Sequence, residues 1–149
     1  GVDFVEFMIS TNLGESPKPL VKVASGGEVS RIMLSLKAAL AGADQISTLI
    51  FDEIDVGISG RIAQAVGKAL YNLAQSHQTI CITHLPQIAS FSQSHYSVEK
   101  SFINNKTVTA IKKLSHDDKI REVAKLLGGE QVTDVTLKNA RELVSTLSH

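Results

Sequence analysis

Two short apolar runs ending in residues of chemical interest, "STLIFDE" over 47–53 and "QTICIT" over 78–83, stand on either side of an amphipathic helix pattern. That helix opens at Ser59-Gly60 and reads through about Gln75. A second helix pattern precedes the first run: from Ser25, the apolar positions Val29, Ile32, Met33, Leu36, Ala39 and Leu40 recur at helical spacing and end near Gly42. The resulting order of helix, strand, helix and strand restricts the middle of the chain to an α/β arrangement. Its strands lie parallel, buried between helices, and deliver their last residues to one edge of the sheet.

The flanks are less constrained. "FVEFMIST" alternates as a strand over 4–11, and "NLGESPKP" breaks it. "HLPQIAS" starts a short helix with Pro86 near its first position. "HYSVEKSF" and "KTVTAIKKL" flank Ile103-Asn104-Asn105, a hairpin signal, and the hairpin reads as an antiparallel addition to the sheet. "SHDDKIREVAKLLGG" carries Ser115 as a cap, acids in its first turn and Gly128 as a stop, and a last amphipathic helix spans about Thr133 to Leu147. With no repeat, low-complexity segment or linker, residues 1–149 read as one α/β domain, large enough for a core.

Composition removes several functions and adds none. Fifteen Lys and Arg balance fifteen Asp and Glu, so no electrostatic case for nucleic acid or a membrane surface arises from net charge. The single cysteine, Cys81, sits inside "TICIT" as a small hydrophobe in a reducing compartment, with no disulfide to make and no catalytic thiol role. No apolar stretch reaches the roughly 18 residues of a membrane span, and no charged-then-apolar leader opens the chain, so a cytoplasmic location is expected. The start at Gly1 and the immediate strand pattern suggest a piece of a longer protein.

Three constellations carry chemistry. Ser25 and Glu28 have capping-box spacing, which accounts for those two residues but not for Gly26 and Gly27 between them. Two glycines weaken a first helical turn, and they also strip it of side chains so that an anion can reach its free amides. Asp52 and Glu53, at the end of a buried strand, suit a hydrated Mg²⁺ and a water attacking a phosphoryl group; a solvated acidic turn is the plainer alternative. His84, just past the other strand, lies where open α/β sheets bind ligands, or else caps the next helix from the surface.

In this order and spacing the motifs resemble the second half of an ABC-type ATPase head, with "ASGGE" as the signature, "TLIFDE" as the Walker B strand, "IDVGIS" as the D-loop and "ITH" as the switch histidine. "KPLVKVASGGEVSRIMLSLK", "LIFDEIDVGISG", "CITHLPQIASFSQSHYSVEK" and "REVAKLLGG" extend the likeness over nearly the whole chain, to the SMC-related ATPases of bacterial DNA repair. The resemblance implies the carboxyl-terminal lobe of a head, bacterial and nucleoid-associated. ATP and Mg²⁺ are its implied cofactors, with Asp52 at the metal and Glu53 and His84 catalytic. Ser25, Gly26 and Gly27 would bind the nucleotide of another head in trans, and Glu28 of the signature and Asp55 and Ser59 of the D-loop are further implied nucleotide-binding residues, with Asp55 or the backbone making the D-loop contacts. A head-to-head homodimer with ATP, and DNA through the whole protein, are the implied partners. Glu28 replaces the usual Gln, and Ser59 stands where many D-loops carry Asp.

The phosphate loop, Gly-x-x-x-x-Gly-Lys-Ser/Thr, is missing. Gly67-Lys68 is followed by Ala69 in mid-helix, and Leu127-Gly128-Gly129-Glu130 ends a helix instead of opening one. The chain alone is therefore expected to be inactive as an ATPase. Competing readings are another SMC-like or recombination ABC head, a metal-dependent nuclease or phosphatase with Asp52, Glu53, Asp55 and His84 as ligands, and a non-catalytic interaction module.

Overall fold

The computed structural model describes residues 1–10, 14–23, 25–42, 46–103, 106–129 and 131–145. At the amino end, β1 (Met8–Ile9) pairs antiparallel with β2 (Lys18–Pro19), which runs into the single turn α1 (Leu20–Val23). The expected strand over 4–11 is thus two residues long; Phe4, Val5 and Phe7 are exposed and find no face to pack on.

The middle of the chain follows its pattern. Helix α2 (Gly26–Leu40) leads to β3 (Thr48–Phe51), α3 (Gly60–Leu73) and β4 (Gln78–Cys81). The two strands are parallel, in register from Thr48 opposite Gln78 to Phe51 opposite Cys81, and the Ile82 amide extends the ladder to the Phe51 carbonyl. Leu49 and Phe51 turn to one side and meet Leu34 of α2, Ala63, Val66, Leu70 and Leu73 of α3, and the fully buried Ile54. Burial of that apolar surface is what holds the strand ends in place. Short helix α4 (Pro86–Ala89) carries Ile88 into this core and Ala89 into a second one.

The second core lies between α5 (His116–Gly128) and α6 (Asp134–Ser145), where Ile120, Val123, Ala124, Ala140 and Val144 interdigitate. Ser115 caps α5 through the Asp118 amide, as read from the sequence. The stop is one residue later than expected: Gly128 is still helical, packed against the Thr136 methyl, and Gly129 takes the left-handed backbone at φ 80°. The expected end of α6 at Leu147 lies outside the described residues. Lys119 ties the two cores together, its buried ammonium donating to the carbonyls of Ser90 at 2.8 Å and Ser92 at 2.5 Å, just past α4.

Between α4 and α5, β5 (Tyr96–Ile103) and β6 (Lys106–Lys113) form the expected antiparallel hairpin, paired from Tyr96 opposite Lys113 to Ile103 opposite Lys106; its Asn104-Asn105 turn lies outside the described residues. It does not join the parallel pair. Among the described residues the sheets are three separate two-stranded ladders, so the fold is α/β with one parallel pair at its centre. No described helix is long and apolar enough to cross a membrane.

Candidate functional site

The carboxyl ends of β3 and β4 present acids and a histidine, respectively. Past β3, Asp52 and Glu53 are exposed; Asp52 Oδ1 accepts the Glu53 amide at 2.9 Å, and the Asp52 carbonyl accepts the Ser30 hydroxyl of α2 at 2.8 Å. Glu53 is the one non-glycine among the described residues with positive φ, at 56°. Such a conformation costs of order 1–3 kcal/mol and persists only where surrounding contacts impose it.

Asp55 turns the other way. Only 5% exposed, its Oδ2 accepts the Thr83 hydroxyl at 2.7 Å and the His84 amide at 2.9 Å, and lies 2.9 Å from His84 Nδ1. Burial alone would raise the Asp55 carboxyl's pKa, but the Thr83 hydroxyl and the His84 amide and ring more than offset it and hold it below the ordinary carboxylate value. The Thr83 oxygen in turn accepts the Leu85 amide at 3.1 Å, which fixes the entry to α4. The His84 side chain is 73% exposed.

The amino end of α2 closes over the β3 turn. The capping box is complete: Glu28 donates its amide to Ser25 Oγ at 3.3 Å, and Ser25 donates its own to Glu28 Oε2 at 2.8 Å. The Ser25 amide and then its hydroxyl lower the Glu28 pKa. Gly26 and Gly27 have a reason within the chain to lack side chains. A Cβ on Gly27 would stand 2.9 Å from the carbonyl oxygens of both Glu53 and Val56, and a Cβ on Gly26 would collide with the Glu53 carboxylate. Arg31, one turn beyond Gly27, closes the clasp by donating from Nη1 to the carbonyls of Ile54 at 3.2 Å and Val56 at 2.8 Å.

The structure thus brings Gly26 and Gly27 against Glu53 and Asp55 against His84, while Ser25 and Glu28 bond to each other at the start of α2. Ser59 is exposed at the start of α3, with its side chain making no capping bond, and joins neither group. Among the described residues no three His, Cys, Asp or Glu side chains gather as a metal would need, so Asp52, Glu53, Asp55 and His84 do not form the ligand cluster of the nuclease reading. Burial pushes the Cys81 thiol pKa up to about 12, helped by Asp55 and Asp52, which leaves no thiolate for chemistry. The sequence reading missed Ser30, Arg31 and the role of Thr83. Ser30 and Arg31 each lie four residues after a glycine of the turn, one helical turn on, and that spacing was the available signal.

Paired strand ends with a helix amino terminus folded over them define a class, and fold comparison places it: the chain superimposes on an SMC ATPase structure from work on ATP-driven dimerization and DNA-stimulated activation. The TM-score is 0.52 at 16% identity, covering 79% of this chain and 70% of the other. The fold is that of an SMC ATPase head lobe. By sequence the chain is similar to the DNA repair protein RecN, with 43% identity to that of Bacillus subtilis, 46% to that of Haemophilus influenzae and 47% to that of Vibrio cholerae, each over 97% of this chain. It spans about a quarter of the length of these relatives. No protein-family model matches it. The resemblance to SMC-related repair ATPases, read from the motifs, is borne out.

Proposed function

We propose that this chain is one lobe of an ATPase head in a longer SMC-like DNA repair protein, and that it supplies the halves of two different ATP sites. The observation that supports this most is the clasp: Gly26 and Gly27 of α2 lie against the Glu53–Val56 turn, and Arg31 bonds to the same turn, so the helix end and the strand end are held together. One faces a nucleotide held by a partner head, the other the nucleotide of its own head.

In this reading Glu53 orients the attacking water and His84 meets the terminal phosphate, while Ser25, Gly26, Gly27 and Glu28 offer the α2 amides and dipole to the partner's nucleotide. Ser59 and the backbone of its turn face the same partner. Asp52 fits a largely hydrated Mg²⁺: it is exposed, and the Glu53 amide engages only its Oδ1. Bound there, the ion neutralises phosphate charge. DNA is engaged by the whole protein, whose heads pair when ATP is bound.

The test is Ser25→Arg in the whole protein, with Ser25→Ala as the control for losing the cap, worth about 1 kcal/mol. The arginine should leave ATP binding to each head within about twofold of the parent and abolish ATP-driven pairing, followed by equilibrium dialysis and sedimentation. Weak ATP binding by the unpaired Ser25→Arg protein would refute the trans assignment. Because no phosphate loop is present in this sequence, the chain by itself should bind Mg-ATP no tighter than millimolar in isothermal titration; micromolar affinity would contradict the reading.

A further inference from the structure

Asp55, one of the D-loop residues expected to bind nucleotide, lies buried beneath His84. We infer that Asp55 is the positioning residue of His84: it keeps the proton on Nδ1 and leaves Nε2 as the nitrogen offered to whatever docks above the strand ends. The tautomer follows from the geometry alone, and its use in phosphate chemistry rests on the reading proposed above.

Lone pairs decide which atom carries the proton. Asp55 Oδ2 and His84 Nδ1 are 2.9 Å apart, and two bare lone pairs do not rest at that distance, so a proton belongs to one of them. The oxygen is the poor candidate. It already accepts the Thr83 hydroxyl and the His84 amide, and those donors favour the ionised carboxyl, as the lowered pKa of Asp55 reflects. The ring nitrogen therefore carries it. One oxygen also meets two parts of the same residue, the amide and the ring, so the side chain is fixed relative to its own backbone although it is 73% exposed. A carboxylate that sets a histidine's tautomer through its other nitrogen is the arrangement that orients imidazoles at metal and hydrolytic sites. In the neutral ring Nε2 is then an acceptor for a water or an N–H, and it donates only when the ring carries a second proton.

The test needs no nucleotide, so it stands or falls apart from the ATPase reading. Magic-angle-spinning NMR of the 149-residue chain with ¹⁵N-labelled histidine, at about pH 8.5, two units above the ordinary imidazole pKa, reads which ring nitrogen is protonated. A His84→Gln variant identifies its signal among those of His77, His95, His116 and His149. We expect His84 to be protonated at Nδ1 in the parent chain. Asp55→Asn should return it to the ordinary form protonated at Nε2, and Thr83→Val, which loosens the same carboxylate without removing its charge, should leave it at Nδ1. A parent chain with His84 protonated at Nε2 would overturn the inference, as would an Asp55→Asn chain whose His84 is unchanged.

Discussion

Gly26 and Gly27 are neighbours in sequence and opposites in what they tolerate. At Gly27 a methyl would meet two backbone carbonyls at 2.9 Å, and backbone cannot step aside, so Gly27→Ala should cost about 1–3 kcal/mol in urea unfolding, the usual scale of overpacking. At Gly26 the obstacle is the far end of the Glu53 side chain, which can swing away. Gly26→Ala should therefore leave stability unchanged or raise it by up to about 1 kcal/mol through helix propensity, at the expense of where Glu53 sits. Equal losses at the two positions would contradict the clasp as described. Asp55 carries a pH signature. Its folded pKa lies below the unfolded value of about 3.9, so its contribution is present above pH 4 and is lost as pH falls through the folded value. Asp55→Asn should lie below the parent in stability at neutral pH and converge on it in acid; a constant gap from pH 7 down to pH 2 would deny the shift. At this scale the sequence revealed which residues matter and hid what they touch. Gly26, Gly27 and Asp55 all announced themselves by type and position, but the approach of a turn from 53–56 and the inward rotation of Asp55 are tertiary facts with no local trace.

Elements were the most legible level, because the period of the apolar positions is a local signal of helix or strand. Helices α2, α3 and α5 and strands β3 to β6 fall where the pattern puts them. The failures occur where tertiary context decides. The alternating stretch over 4–11 has the β pattern but lacks a partner of equal length, so only Met8–Ile9 pairs. The hairpin was read correctly as a hairpin and wrongly as part of the central sheet, since its register says nothing about which edge it meets. Between elements, Lys119 does what the pattern of α5 could not show. A lysine on the buried face looks like an error of amphipathicity, yet its ammonium closes the carbonyls that follow α4 and so holds the segment descending from His84. Lys119→Met keeps the apolar stem and removes the donor, leaving two carbonyls wanting. It should cost about 1–3 kcal/mol and speed amide exchange in α4 more than in α3. If the two helices lose protection alike, Lys119 is a general core residue and not a tether.

As a whole molecule the chain is half covered. Parallel sheets are normally buried on both faces, but here Leu49 and Phe51 pack inward while Ile50 on the opposite face is 68% exposed beside Ile80 and Ile82. Helix α2 leaves Met33, Leu36 and Leu40 exposed as well, and the hairpin leaves Phe102 and Ile111. That much apolar surface is what a further lobe would cover, in keeping with relatives about four times as long. Isolated, the chain should self-associate with rising concentration in sedimentation velocity; a monomer up to millimolar concentration would show that the open face needs no cover. The domain's class was legible because the strand–helix order and the three motifs are local, whereas the uncovered face is a tertiary fact with no local trace. On the proposed reading Glu53, held on the β3 turn by α2, orients the water for hydrolysis while the same clasp joins heads. Glu53→Gln keeps the shape and removes the charge. In the whole protein, single-turnover hydrolysis by Glu53→Gln should fall about a hundredfold or more, with ATP affinity little changed and an ATP-bound dimer accumulating on size-exclusion chromatography. A Glu53→Gln protein that hydrolyses ATP at the parent rate would contradict the account.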